Sequence, residues 1–149
     1  MEILFQIANL YILPFWLLMI LLPGWRGSQR IMASIWTVIP LAAFYALGFV
    51  MSFSADPTAL QELANPTLTG IAALLGTPAG AALGWIHFLA FDLFVGRWAY
   101  LDSRTRGISA WWVSPALIFV LMAGPLGLLL YLGVRYLHRG QRQSQRPAR

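Results

Sequence analysis

Four apolar stretches govern this sequence: 3–22, 35–53, 79–98 and 113–137. A helix that crosses a bilayer needs roughly 20 mostly apolar residues, and each stretch is close to that length. In hydrocarbon, only a helix or a closed barrel satisfies its own backbone hydrogen bonds, so stretches of this length are expected to be helical. Of the 149 residues, 59% are hydrophobic and 10% charged, where soluble domains carry about 25% charged residues. The predicted fold is all-α, an integral-membrane four-helix bundle with no room for a separate soluble domain. Residues 1–139 read as a single membrane domain and 140–149 as a basic, disordered tail.

The first stretch differs from a cleaved leader. Glu2 stands where a basic region would precede the apolar run, and no small-x-small cleavage site follows Leu22. No Arg- and Ser-rich transit segment precedes it either. The sequence has no cysteine and no lysine; all ten basic residues are arginine. Thiolate metal sites, iron–sulfur clusters and disulfides are thereby excluded, as is a Schiff-base cofactor. The net charge is +5, with Arg135, Arg139, Arg142, Arg146 and Arg149 in or near the tail. This tail lacks interleaved aromatics and any reader module, so its expected partner is the lipid headgroup layer, and no nucleic acid is implied.

Asn9 and Gln6 lie one turn apart in the first stretch and are expected to hydrogen-bond a neighbouring helix. Pro14 predicts a kink there and Pro23-Gly24 a stop, with Trp25 as an interfacial anchor before Arg26 and Arg30. The connection 54–78 opens with the turn signal Ser54-Ala55-Asp56-Pro57. It then predicts a short apolar helix from Asn65-Pro66 through Leu74, ended by Gly76, too short to cross and therefore interfacial or re-entrant. Gly124-Pro125 interrupts the fourth stretch and is expected to face protein. Four crossings would place Arg26, Arg30, Arg97, Arg104 and Arg106 on one side and the five tail arginines on the other. The positive-inside rule then leaves orientation undecided.

The third stretch carries the chemistry, because it holds His87 and Asp92. An ionisable group at that depth costs a few kcal/mol or more unless paired, which makes it a functional-site candidate. At about 100° per residue, His87 shares a face with Phe91, Phe94 and Trp98. Trp85, Phe88, Asp92, Gly96 and Ala99 lie about 140° away, so His87 and Asp92 address separate neighbours or opposite walls of one cavity. Arg97 or Arg135 would be the partner of Asp92 if its role is structural. For His87 the structural alternative is a neutral imidazole bonded to a neighbouring helix. Gly80-x-x-x-Gly84 permits close approach of another helix. A two-ligand haem needs a second histidine at midplane, and His138 lies at the end of the fourth stretch. One His and one Asp make an incomplete metal shell, so no metal is expected. Trp85, Phe88, Phe91, Phe94 and Trp98 suit a groove for a long, flat, apolar ligand.

The run Trp85-Ile86-His87-Phe88-Leu89-Ala90-Phe91-Asp92-Leu93-Phe94-Val95-Gly96-Arg97, followed by Asp102, Arg106 and Gly124-Pro125-Leu126-Gly127, resembles a known family. So do Leu13-Pro14-Phe15-Trp16 and Asn65-Pro66-Thr67-Leu68-Thr69-Gly70-Ile71-Ala72. The family is the small integral-membrane one that includes plant neoxanthin synthase. The resemblance implies a four-helix membrane protein of carotenoid (xanthophyll) metabolism, whose plant members support conversion of violaxanthin to neoxanthin. That reaction opens an epoxide to a tertiary alcohol while a neighbouring C–H proton leaves to give an allene. It is redox-neutral, implies no cofactor, and needs one proton donor and one acceptor. On this resemblance Asp92 is the candidate acid, His87 the candidate base, and Arg97 orients a polar end group. Lacking the plastid extension of plant members, the chain resembles a bacterial one, multi-pass in an inner or thylakoid membrane. Two alternatives stand beside an isomerase or its accessory. One is a non-catalytic pigment- or quinone-binding subunit of a photosynthetic membrane complex, with other photosynthetic membrane proteins as partners. The other is a structural membrane protein.

Overall fold

The computed structural model describes residues 1–55 and 58–144, and their regular structure is entirely helical. The elements are α1 (Glu2–Leu21), α2 (Arg26–Ala33), a single 3-10 turn (Ile35–Thr37), α3 (Ile39–Ala55), α4 (Thr58–Ala64), α5 (Leu68–Leu75), α6 (Pro78–Thr105) and α7 (Ala110–Ser144). By length and composition α1, α6 and the part of α7 over Ala110–His138 suffice to cross a membrane, whereas α3 has 17 residues and is shorter. These apolar helices associate the chain with a membrane. The expected tail is helical backbone through Ser144; residues 145–149, like Asp56 in the 54–78 connection, lie outside the described residues.

Local chemistry explains the boundaries. Proline lacks a backbone N–H and has its φ preset, so it fits the first turn of a helix. Accordingly α3 starts at Ile39-Pro40, four residues later than the apolar run, and α6 starts at Pro78. Thr67 caps α5, its side chain accepting a 3.0 Å bond from the Gly70 N–H, and Thr77 caps α6 in the same way through Gly80 N–H at 3.0 Å. The α6 helix runs beyond the apolar stretch and is followed by Gly107, whose φ of 64° lies in the left-handed region that ends helices.

The chain divides into two compact units, Met1–Leu13 with Val38–Ala90, and Pro14–Thr37 with Phe91–Arg149. In the first, α3 runs antiparallel to α6: Tyr45 meets His87, and Gly48 opens onto Leu83. Asn9 bridges as expected, its Oδ1 accepting a 3.0 Å bond from Trp85 Nε1. Gln6 does not, because its amide donates instead to Glu2 one turn earlier in the same helix, at 2.9 Å.

In the second unit Trp16 is buried against Gly96, where a Cβ would strike the indole ring. Tyr100 donates its hydroxyl to Pro23 O at 2.8 Å. The short α2 is amphipathic: Ser28 and Met32, one turn apart, are buried while Arg26, Gln29 and Arg30 are exposed. The fourth apolar stretch departs from expectation. At Ala123 the backbone leaves helical values (φ −156°, ψ 66°) and α7 doubles back. Trp112 and His138, near its two ends, face each other with ring centroids 6.5 Å apart. A Cβ on Gly127 would collide with the backbone of Phe119 and Val120. Pro125 cannot donate to the helix ladder and its ring opposes the preceding turn. Gly124 and Gly127 then let the arms 110–122 and 124–144 touch. At about 1.5 Å per residue, the first arm is roughly 20 Å long, short of a hydrocarbon core of about 30 Å.

Candidate functional site

Within the first unit, α3, α4, α5 and α6 enclose a cavity of about 210 Å³. It exists because α5 stops short. The Thr77 hydroxyl donates to Leu74 O at 2.9 Å, pinning the end of α5 onto the start of α6. A Cβ on Gly80 would strike that same Leu74 carbonyl, so the Gly80-x-x-x-Gly84 spacing admits a helix end and not a lengthwise helix. Beyond that contact the space is left open, bounded by Leu63, Leu74, Leu75 and Leu83. On the α3 side the wall is aromatic: Tyr45, Phe49 and Phe53 form a ladder with ring centroids 6.0 and 4.2 Å apart. Polar groups are few. Ser52 lines the wall with a buried Oγ that makes no hydrogen bond. His87 lines it from α6, its ring edge-on to Tyr45 at 5.5 Å. A buried hydroxyl without a partner costs about 1–3 kcal/mol.

The residues singled out in the third stretch separate. His87 belongs to the first unit; Asp92 and Arg97 belong to the second. Asp92 packs on the hairpin at Gly124, where a Cβ would strike its Oδ1. Neither expected arginine pairs with it. Arg97 donates from Nη2 to Ala33 O at 2.9 Å, and Arg135 lies against Asp102. None of the five candidate aromatics lines the cavity. Trp85 bonds Asn9, and Phe88 stands edge-on to His87 at 6.2 Å. Trp85, Phe88, Phe91 and Phe94 are exposed along α6. Trp98 packs edge-on against Tyr131 at 5.5 Å, with the Arg135 guanidinium 5.5 Å above its ring. His138 Nδ1 sits 3.0 Å from Val134 O, on α7 itself.

A charged cluster in the second unit escaped the sequence reading. Asp102 Oδ2 accepts from Arg106 Nε at 2.7 Å and from the buried Tyr131 hydroxyl at 2.7 Å, with Arg135 Nε 3.2 Å away. The Arg135 contact is an ion pair without hydrogen-bond alignment, since its Nε has no hydrogen-bond partner. Asp102-x-x-x-Arg106 and Tyr131-x-x-x-Arg135 each place two groups on one helical face, and that spacing was the available signal. With one carboxylate holding two guanidinium groups and a hydroxyl, the cluster ties α6 to the second arm of α7.

Residues 3–131 match the family described as ABA DEFICIENT 4-like. Protein ABA DEFICIENT 4, chloroplastic, of Arabidopsis thaliana is 29% identical over 109 residues, covering 70% of this chain and 49% of that protein. The chain thus spans about half the length of the curated relative it matches. No solved structure matches. The matched span takes in the cavity, His87, the Asp102 cluster up to Tyr131 and the Gly124–Gly127 turn, and on that match the chain belongs to the ABA DEFICIENT 4-like family.

Proposed function

We propose that this chain is a multi-pass membrane protein of carotenoid metabolism whose cavity takes one end ring of a xanthophyll epoxide and isomerises it to an allene. The observation that carries this is His87, an ionisable ring on the wall of a mostly apolar cavity of about 210 Å³. An engineered apolar cavity of about 150 Å³ holds benzene, so this one suits a single substituted six-membered ring. The polyene would leave through the mouth into lipid.

The chemistry needs no electron carrier. A protonated His87 gives its proton to the epoxide oxygen, and the C–O bond breaks to leave a tertiary alcohol. The neutral imidazole then removes the neighbouring C–H proton, whose electron pair forms the second double bond of the allene. The proton given to oxygen is replaced by the one taken from carbon, so one imidazole serves as both acid and base. Ser52 Oγ supplies a hydrogen bond to the polar end of the ring. Asp92 is then a packing group against Gly124 rather than the proton donor.

The test is expression in a violaxanthin-accumulating strain with chromatography of the pigments. Wild type should yield an allenic isomer, His87→Phe none, and Asp92→Asn most of the wild-type amount. Conversion by His87→Phe would overturn the assignment. Loss in Asp92→Asn, with the protein present at normal level, would return the acid role to Asp92. Among the described residues no carboxylate lines the cavity wall, and this favours one other outcome, pigment held without turnover, which marks a binding subunit.

A further inference from the structure

The doubled-back α7 changes the count of arginines on each side of the membrane. All ten lie in the second unit, and the first unit contains none. Within the second unit, α1 and α6 run parallel: Trp16 meets Gly96 and, further along both, Pro23 O meets the Tyr100 hydroxyl. Both helices therefore end at the same level. Arg26 and Arg30 follow α1 on α2, Arg97 reaches Ala33 O, and Arg104 donates to Ile108 O just past the end of α6. Because α7 turns at Ala123, Trp112 faces His138 and Arg135 reaches Asp102 beside Arg106. The second arm thus returns to the level where the first began. Four tryptophans mark that level, Trp25, Trp36, Trp111 and Trp112, all more than half exposed at 54%, 70%, 88% and 60%. Exposed tryptophan beside arginine is the signature of a headgroup layer.

We infer that the chain crosses the bilayer with α1, α3 and α6, that α7 dips in and returns, and that its arginine–tryptophan collar sits among the anionic headgroups of the cytoplasm-facing leaflet. The N-terminus then lies on the opposite side, with Glu2 and Glu62. Among the described residues, four full crossings divide the arginines five and three; a returning α7 puts all eight on one side and none on the other. Positive-inside retention acts on arginines in short loops and near the ends of crossings, so a split of this size fixes orientation. The inference rests on the multi-pass part of the proposed function and is independent of the ligand.

The chain has no cysteine, so single cysteines report sidedness without background. Gln61→Cys, Ser109→Cys and a cysteine appended after Arg149 are labelled with a membrane-impermeant maleimide in right-side-out and inverted vesicles. The expected result is Gln61→Cys labelled only from outside, with Ser109→Cys and the appended cysteine labelled only in inverted vesicles. An appended cysteine that labels together with Gln61→Cys means α7 crosses, and overturns the inference. Ser109→Cys and the appended cysteine both labelled from outside overturns the assigned leaflet. Gln61→Cys and Ser109→Cys labelled from one side contradicts the multi-pass reading itself. Because three separate positions report, one poorly inserted variant leaves the outcome decidable.

Discussion

The two compact units use stretches of the same helices, α1 and α6, to opposite ends. In the first, α6 meets the capped end of a short helix, and the small side chains around Gly80 and Gly84 leave space. In the second, the groove at Gly96 is filled by Trp16, and the hairpin closes on Asp92 at Gly124. Charge divides in the same way. The second unit holds every arginine and ties Asp102 to two of them, whereas the first sets a single histidine against an apolar space. An ionisable residue in an apolar helix is therefore not one kind of signal. His87 borders open space, whereas Asp92 packs against the α7 hairpin at Gly124.

Substitutions that separate stability from activity test this contrast. The largest effect on folding is expected for Asp102→Ala, which strands two guanidinium groups and a buried tyrosine hydroxyl. Removing one partner of such a partly exposed network costs about 2–3 kcal/mol, mostly through the buried tyrosine hydroxyl, read as a fall in the unfolding midpoint in detergent. His87→Phe keeps the aromatic edge toward Tyr45 and should move that midpoint little while abolishing pigment conversion. Gly124→Val drives a side chain into Asp92 and should cost about 1–3 kcal/mol through overpacking; an unchanged midpoint would mean that the hairpin does not close there. Tyr131→Phe removes only the hydroxyl donor to Asp102, for about 1 kcal/mol. Ser52→Ala is the smallest and has the opposite sign. It deletes a buried, unpartnered Oγ, so empty protein should gain up to about 1 kcal/mol while ligand affinity falls several-fold. If Ser52→Ala instead destabilises the empty protein, its hydroxyl serves the fold and not a ligand.

Much of the helical layout was legible because local chemistry writes it. Apolar runs of spanning length, Pro23-Gly24 as a break and Gly76 as a stop were read directly; Pro40, Pro78 and Thr67 act just as locally but were not read as the helix starts that they are. The course of α7 was not legible to the same degree. Hydropathy counts apolar residues without direction, so a run that enters and returns reads like one that crosses. Gly124-Pro125 announced a break, but the reversal depends on Gly127 meeting Val120 and on Trp112 meeting His138, which are tertiary contacts. Likewise α2 was hidden because its eight residues are mostly polar and only Ser28 and Met32 point inward. For the site, helical angles separated His87 from Asp92 correctly. Which of them borders a cavity depended on α5 ending at Leu75, and nothing on α6 records that. The aromatics of α6 that were expected to line a ligand groove are exposed for the most part and lie outside the wall of this cavity.

The most direct measurement is titration of purified protein with violaxanthin, followed by visible absorption and tryptophan quenching, for wild type and Gly84→Leu. A Cβ at Gly84 meets Leu75 at 3.1 Å, so the longer side chain would occupy the cavity. Wild type should bind one pigment per chain. Gly84→Leu should bind at least about tenfold more weakly, equivalent to about 1.4 kcal/mol, with its helical content unchanged. Equal binding by the two folded proteins would contradict the cavity beside His87 as the site.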